Sequence, residues 1–134
     1  MNNAELACRS EYVTMRDGIR LAVSTWLAND KDSDDKKNRD KCPAVVVTTR
    51  YWRAMAFQQD NPEFQPFYPL ASYLSVRGYV FIAADARGSG ASFGRREIEA
   101  SPAEVEDIGE IIDWVAQQVW CDGRVATIGT SYTA

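Results

Sequence analysis

Three short apolar runs, separated by segments with helical periodicity, constrain the fold of this chain more than any other feature. The runs are AVVVTT at 44–49, YVFIAA at 79–84 and RVATI at 124–128. Continuous apolar runs of this length are typical of strands buried on both faces, as in a parallel sheet. The helical segments between them supply the crossovers that parallel strands need. The sequence therefore predicts an α/β fold.

The first predicted helix is marked by apolar residues at helical spacing, with Gly78 placed to end it: Phe67, Leu70, Ala71 and Leu74. The second is predicted to begin at Ser101, with Pro102 at its first position and Glu104 completing a capping box. Gly109 costs about 1 kcal/mol in a helix interior, which close packing against the sheet would explain. An apolar stripe is expected at Val105, Ile108, Ile112, Val115 and Val119.

Ahead of the apolar runs, residues 12–16 and 19–27 have the pattern of two strands. Asp17-Gly18 between them predicts a tight hairpin closed by a type I′ turn. Residues 28–41 are mostly charged and indicate a solvated surface loop.

Length and charge limit the classes of protein to consider. With 134 residues and a net charge of −4, the chain indicates one domain and shows no basic patch for nucleic acid. It contains no apolar run long enough to span a bilayer, and its first ten residues lack the apolar core of a secretory signal. Cys8, Cys42 and Cys121 are odd in number and far apart, which favours reduced thiols and a cytoplasmic location.

A candidate nucleophile follows the last apolar run. In Gly129-Thr130-Ser131-Tyr132, Gly-x-Ser at a strand end begins a nucleophile elbow. Such a turn exposes the serine oxygen above the sheet and directs the next amide, that of Tyr132, at a developing oxyanion. The alternative is an ordinary polar turn. The chain has no histidine, so it holds no complete Ser-His-Asp triad.

Tyr51 is a candidate for a second oxyanion donor, because it follows the first apolar run. In α/β-hydrolases that donor comes from the loop after the corresponding strand, and a tyrosine hydroxyl can provide it. The alternative is aromatic packing under a long loop.

The segment DARGSGASFG, after the second run, permits a different interpretation. Gly88, Gly90 and Gly94 suggest a phosphate-binding loop, and so a nucleotide-binding α/β domain. A dinucleotide fingerprint, however, has its third glycine one position earlier and opens a helix at once. The alternative is a structural turn braced by Asp85 and Arg87.

Two further motifs fail on their context. Asp30, Asp32 and Asp34 match the start of a calcium loop, whose later glycine and glutamate are absent. Ser33 and Lys36 spell Ser-x-x-Lys, but within a solvated charged run. The cysteines have neither Cys-x-x-Cys spacing nor histidine partners. The sequence thus predicts no metal and no cofactor.

Four segments, in their order, resemble the N-terminal part of the cocaine esterase / X-Pro dipeptidyl-peptidase group of serine hydrolases. They are MRDGIRLAVSTW, VVVTTRYWR, RGYVFIAADARGSGASFG and IIDWVAQQVWCDGRVATIGTSY. The resemblance implies an incomplete α/β-hydrolase fold over residues 1–134, with an N-terminal hairpin and parallel strands with helices, ending at the nucleophile elbow. The family's helical cap and C-terminal β domain would be absent.

The resemblance also implies roles for three residues. Ser131 matches the nucleophile, Tyr132 the residue whose amide helps to form the oxyanion hole, and Tyr51 the tyrosine whose hydroxyl completes it. The family's nucleophile motif is Gly-x-Ser-Tyr-x-Gly, and its last glycine is replaced here by Ala134. Family members hydrolyse esters or amides, including X-Pro peptides, through an acyl-enzyme and without a cofactor.

Without a histidine to accept the Ser131 proton, the isolated chain is expected to be inactive. The favoured interpretation is a fragment of a longer enzyme that acts on small-molecule ester, amide or short peptide substrates. Residues 124–128 would form a central strand in that enzyme, and in the isolated chain they are expected to form an apolar edge. Two alternatives stay open: a nucleotide-binding domain using the loop at 88–94, and a non-catalytic module that binds a partner through its sheet edge. The sequence does not predict an oligomeric state.

Overall fold

A computed structural model describes residues 6–28, 40–55 and 65–130 of the chain. Two helices and five strands follow one another in the predicted order of hairpin, strand, helix, strand, helix and strand. They are β1 (Leu6–Thr14), β2 (Arg20–Ala28), β3 (Cys42–Thr49), α1 (Tyr68–Ser75), β4 (Val80–Asp85), α2 (Pro102–Ala116) and β5 (Cys121–Thr127).

The five strands form one mixed sheet in the order β1-β2-β4-β3-β5. The strands from the three apolar runs are parallel to one another, since β3 pairs with β4 on one side and with β5 on the other. The hairpin strand β2 joins β4 in antiparallel orientation. The predicted α/β fold is therefore confirmed, and the carboxyl ends of β3, β4 and β5 lie at one edge of the sheet.

The hairpin between β1 and β2 is confirmed, but its predicted type I′ turn is wrong. Met15 N–H donates to the Ile19 carbonyl at 2.8 Å, and Gly18 N–H donates to the Met15 carbonyl at 2.9 Å. A type I′ turn requires a left-handed backbone, with positive φ, at both of its central residues. Gly18 has φ +83°, but Asp17 has no positive φ. The loop thus has three residues and ends in a glycine bulge, a geometry that Asp-Gly also permits.

The two helices cover opposite faces of the sheet. Ala71 of α1 packs with a cluster on one face, formed by Trp26, Val45, Val47, Phe81 and Ala83. Ile111 and Val115 of α2 pack into the larger cluster on the other face, which includes Leu21, Val23, Val46, Val80 and Ile82. Because α1 follows β3 and α2 follows β4, the chain leaves these adjacent strands toward opposite faces. In open α/β sheets such a divergence marks the edge at which binding sites form.

The third apolar run, whose pattern is typical of a buried strand, forms the edge strand that is expected for the isolated chain. The strand begins earlier, at Cys121, and forms an edge of the described sheet. Arg124, Ala126 and Thr127 are exposed, and Val125 is half-buried. Burial on its outer side would require another neighbour.

The apolar stripe predicted for α2 is displaced. Four residues are buried on this helix: Glu104, Asp107, Ile111 and Val115. Val105 and Val119 are each 57% exposed, and Val119 lies beyond the end of the helix. The face toward the sheet therefore includes two acidic residues, whose partners are arginines described below.

Gly109 does not pack closely against the sheet, contrary to the prediction. It lies on the exposed side of α2, and a Cβ added there would meet nothing within 4 Å. Gly109→Ala is therefore expected to raise the free energy of unfolding by about 1 kcal/mol, through helix propensity alone. Urea unfolding would measure the change.

Gly123→Ala is the matched control for this prediction. Its added Cβ also meets nothing within 4 Å, but Gly123 has φ +91°. Strain in the left-handed region is expected to make that variant less stable than the parent. Equal effects of the two substitutions would contradict the explanation by helix propensity.

Candidate active site

The turn after β3 carries the predicted oxyanion residue Tyr51. Tyr51 is 57% exposed, and its N–H donates to Thr49 Oγ1 at 2.9 Å. The next residue, Trp52, has φ +69°, a conformation that non-glycine residues rarely adopt. Tyr51 and Trp52 thus lie on a sharply turned segment at the carboxyl end of the parallel sheet.

Ser131 and Tyr132 lie outside the described residues, but the chain that leads to them is described. Ile128 N–H donates to the Val46 carbonyl at 3.0 Å and continues the pairing of β5 with β3. Gly129 and Thr130 follow beyond this edge of the sheet.

Tyr51 and Thr130 line the same pocket, which has a volume of about 360 Å³. It lies between the ends of β3 and β5 and the start of α1, with no charged side chain in its lining. Its other lining residues are Val47, Thr49, Trp52, Pro66, Phe67, Leu70, Ile128 and Gly129. The structure therefore brings Tyr51 together with the residue that immediately precedes Ser131.

The glycine-rich loop after β4 is folded on itself and on the hairpin. Its amides donate within the protein: Gly88 N–H to the Phe93 carbonyl at 3.0 Å, Ser89 N–H to the Ala86 carbonyl at 2.9 Å and Phe93 N–H to the Arg20 carbonyl at 2.9 Å. A loop that binds phosphate instead points free amides at the anion. The structural alternative predicted for this segment is therefore confirmed, and its geometry argues against the nucleotide-binding interpretation.

Arg87 braces this loop, as predicted, through acidic partners that the sequence did not indicate. Its Nε and Nη2 donate to Asp107 of α2 at 2.8 and 2.7 Å, and its Nη1 donates to Asp17 at 2.5 Å. These hydrogen bonds raise the pKa of Arg87, and the one from Arg87 lowers the pKa of the Asp17 carboxyl. Arg16 also donates to Asp107, at 3.0 Å. The hairpin turn, the loop and α2 are thus joined by one charged network.

A second ion pair holds the start of α2 to the end of β3. Arg50 Nε and Nη2 donate to the two carboxylate oxygens of Glu104 at 2.8 and 2.6 Å. This bidentate contact raises the pKa of Arg50. Ser101 Oγ accepts the Glu104 N–H at 3.3 Å, so half of the predicted capping box forms while the Glu104 side chain turns to Arg50. Arg50 precedes Tyr51, so the pair also fixes the start of the Tyr51 turn.

The remaining predicted features are placed as follows. Asp30, Asp32, Asp34 and Ser33 lie outside the described residues. Cys8 is exposed, Cys42 and Cys121 are buried, and all three are unbridged. Within the described ranges, no group of three or more acidic, cysteine or histidine side chains could hold a metal ion. Neither described helix combines the length and apolarity needed to cross a membrane.

Comparison with known proteins places this geometry in a family. The sequence profile of the X-Pro dipeptidyl-peptidase (S15) family matches residues 17–134. A Mycobacterium bovis protein, named as a proposed serine esterase, is 37% identical over 130 residues, which cover 90% of this chain and 20% of that protein. Cocaine esterase of Rhodococcus sp. is 31% identical over 123 residues, covering 90% of this chain and 18% of that enzyme. The chain thus spans about a fifth of the length of these relatives.

Solved structures show the same architecture. A CocE/NonD family hydrolase from Staphylococcus aureus superposes with a TM-score of 0.72 and 25% identity, over 96% of this chain and 24% of that one. An α-amino acid ester hydrolase, 22% identical, shares the fold with a TM-score of 0.71, over 98% of this chain and 22% of that one. The described strands and helices therefore form part of an α/β-hydrolase fold. This chain belongs to the X-Pro dipeptidyl-peptidase (S15) family.

Proposed function

We propose that residues 1–134 form the N-terminal part of the catalytic domain of a longer serine hydrolase. This hydrolase cleaves ester or amide bonds in small-molecule or short peptide substrates, with X-Pro peptides as one candidate among the amides. It needs no cofactor and acts in the cytoplasm, as the odd number and wide spacing of the three cysteines favour. One observation carries the proposal: Tyr51 and Thr130, the neighbour of Ser131, line one pocket at the carboxyl edge of the sheet.

In the proposed reaction, Ser131 Oγ attacks the substrate carbonyl and gives its proton to a base. The Tyr132 N–H and the Tyr51 hydroxyl stabilise the oxyanion. The alcohol or amine leaves with a proton, and water then releases the acid from the acyl-enzyme. Because these 134 residues include no histidine, the base comes from outside them, and they do not catalyse hydrolysis alone.

A fluorophosphonate probe tests this proposal in the native source. After treatment, the intact mass of the protein that contains this sequence is measured, and the adduct is located by peptide mapping. A species well above 15.0 kDa with one adduct on Ser131 supports the proposal. An unlabelled species of 15.0 kDa would contradict it.

Tyr51→Phe is expected to lower kcat of the full-length hydrolase by about 10²- to 10³-fold, because one donor to the oxyanion is lost. The substitution keeps the ring and removes only the hydroxyl. Hydrolysis of a p-nitrophenyl ester would measure kcat.

Tyr73→Phe is the matched control for Tyr51→Phe. Tyr73 lies on α1, is 56% exposed, and is absent from the pocket lining. Its loss of a hydroxyl is expected to leave kcat unchanged. A Tyr51→Phe variant with the parent rate would remove Tyr51 from the site.

A further inference from the structure

The turn that carries Tyr51 is fixed at its first end by Thr49. Thr49 is the last residue of β3 and is fully buried. Its hydroxyl accepts the Tyr51 N–H, and its carbonyl accepts the Ala86 N–H at 2.8 Å. The left-handed conformation of Trp52 follows at once. Such a conformation persists only where the contacts around it hold the backbone on both sides.

Asp85 fixes the second end of this turn. Its Oδ1 accepts the Arg53 N–H at 2.7 Å, immediately after Trp52. Asp85 is 2% exposed and lies opposite Thr49 in the register of β3 and β4. The backbone on either side of Tyr51 and Trp52 is therefore tied to two paired residues at the carboxyl edge of the sheet.

The side chain of Arg53 reinforces the same contact. Its Nε lies 3.6 Å from Asp85 Oδ2, and its Nη1 donates to Ser24 Oγ at 2.9 Å. Arg53 is buried, so this guanidinium and the carboxylate face each other away from solvent. Arg53 thus contacts the Asp85 carboxylate twice, through its backbone N–H and through its guanidinium.

The glycine-rich loop closes over this carboxylate. Ala91 N–H donates to Asp85 Oδ2 at 3.0 Å. A Cβ at Gly90 would overlap the carboxylate group of Asp85. Gly90 has φ +54°, so glycine is suited to this position both by its conformation and by its lack of a side chain. Both carboxylate oxygens therefore accept backbone hydrogen bonds, one from each of the two loops.

We infer that Asp85 is a positioning residue for Tyr51. Held beneath Gly90, its carboxylate sets the turn that presents Tyr51 to the pocket shared with Thr130. Asp85 acts through the backbone of residues 50–53 and is not a member of that pocket lining. The inference rests on the proposed function, since it concerns how the proposed oxyanion donor is held.

Asp85→Asn is expected to lower kcat by about 10²-fold and to leave KM nearly unchanged, because a small displacement of a catalytic group has effects of this size. The asparagine side chain has one acceptor oxygen and one NH2 group, so its NH2 would face one of the two backbone N–H donors, that of Arg53 or that of Ala91. The kinetics are measured with a p-nitrophenyl ester in the full-length protein. Asp122→Asn is the matched control and is expected to keep kcat, since Asp122 also accepts a backbone N–H, from Arg124 at 2.9 Å, but at the start of β5.

A double-mutant cycle separates positioning from a purely structural loss. In the Tyr51→Phe variant the hydroxyl is already missing, so a displaced turn at residue 51 cannot lower oxyanion stabilisation further. Adding Asp85→Asn to this variant is therefore expected to lower kcat by less than about twofold. A further decrease as large as in the parent would overturn the inference.

Gly90→Ala is a second variant, for use if Asp85→Asn does not fold. Its added Cβ would displace the Asp85 carboxylate from the side of the exposed glycine-rich loop. It is expected to lower kcat with little change in KM, and only in the presence of Tyr51. An unchanged kcat in a folded Asp85→Asn or Gly90→Ala variant would overturn the inference. Failure of the proposed function has a different signature, because Ser131→Ala would then retain hydrolysis.

Discussion

Ser131→Ala is expected to lower kcat of the full-length hydrolase by about 10⁴- to 10⁶-fold, the scale on which loss of a nucleophile acts in serine hydrolases. The substitution removes the oxygen that would form the acyl-enzyme. Binding of the substrate and stabilisation of the oxyanion would both remain, so KM is expected to change much less than kcat. The rate of p-nitrophenyl ester hydrolysis and labelling by the fluorophosphonate probe are the two measurements.

Ser75→Ala is the matched control for this substitution. Ser75 is the last residue of α1, and it is not among the residues that line the pocket with Tyr51. Its substitution is expected to preserve both hydrolysis and labelling. Hydrolysis retained in Ser131→Ala, with labelling at another residue, would assign the nucleophile elsewhere and contradict the proposed acyl-enzyme.

The arrangement of the sheet could be predicted because the relevant signals are local. Residues 44–49 and 79–84 are continuous apolar runs, and both become strands whose residues are almost all buried. Residues 124–128 have the same pattern but form an exposed edge, because burial of a strand depends on its neighbours and not on its own sequence. The hairpin shows a similar limit, since Asp17-Gly18 fits two kinds of turn and only the backbone angles distinguish them.

The candidate site could be predicted only in part, for the same reason. The positions of Tyr51 and Thr130 follow from the parallel strands, whose carboxyl ends must meet at one edge. The ion pairs that support this edge join residues far apart in sequence, with separations of 54 residues for Arg50 and Glu104 and 91 residues for Arg16 and Asp107. Nothing in the local pattern identifies such partners. Glu104 and Asp107 do not belong to the apolar stripe that the sequence predicts for α2, so the predicted inner face did not include them either.

Asp107→Asn is expected to lower the free energy of unfolding by about 3–5 kcal/mol, the cost of removing one partner from a buried ion pair. Asp107 is 2% exposed, and its carboxylate accepts hydrogen bonds from both Arg87 and Arg16. Asparagine keeps the shape but loses the charge and one acceptor. Arg87, whose side chain is only 11% exposed, would keep Asp17 as its sole acidic partner in this network. Urea unfolding of the purified protein would measure the loss.

Asp113→Asn on the same helix distinguishes the network from helix effects. Asp113 is exposed, so its substitution is expected to change stability by no more than about 0.5 kcal/mol. Both variants lose one negative charge from α2, so a general effect of charge would appear in both. A loss of stability confined to Asp107→Asn would show that the folded state is stabilised by the contacts of this carboxylate with Arg16 of the hairpin turn and Arg87 of the glycine-rich loop. Comparable losses in both variants would instead contradict the role of the buried network.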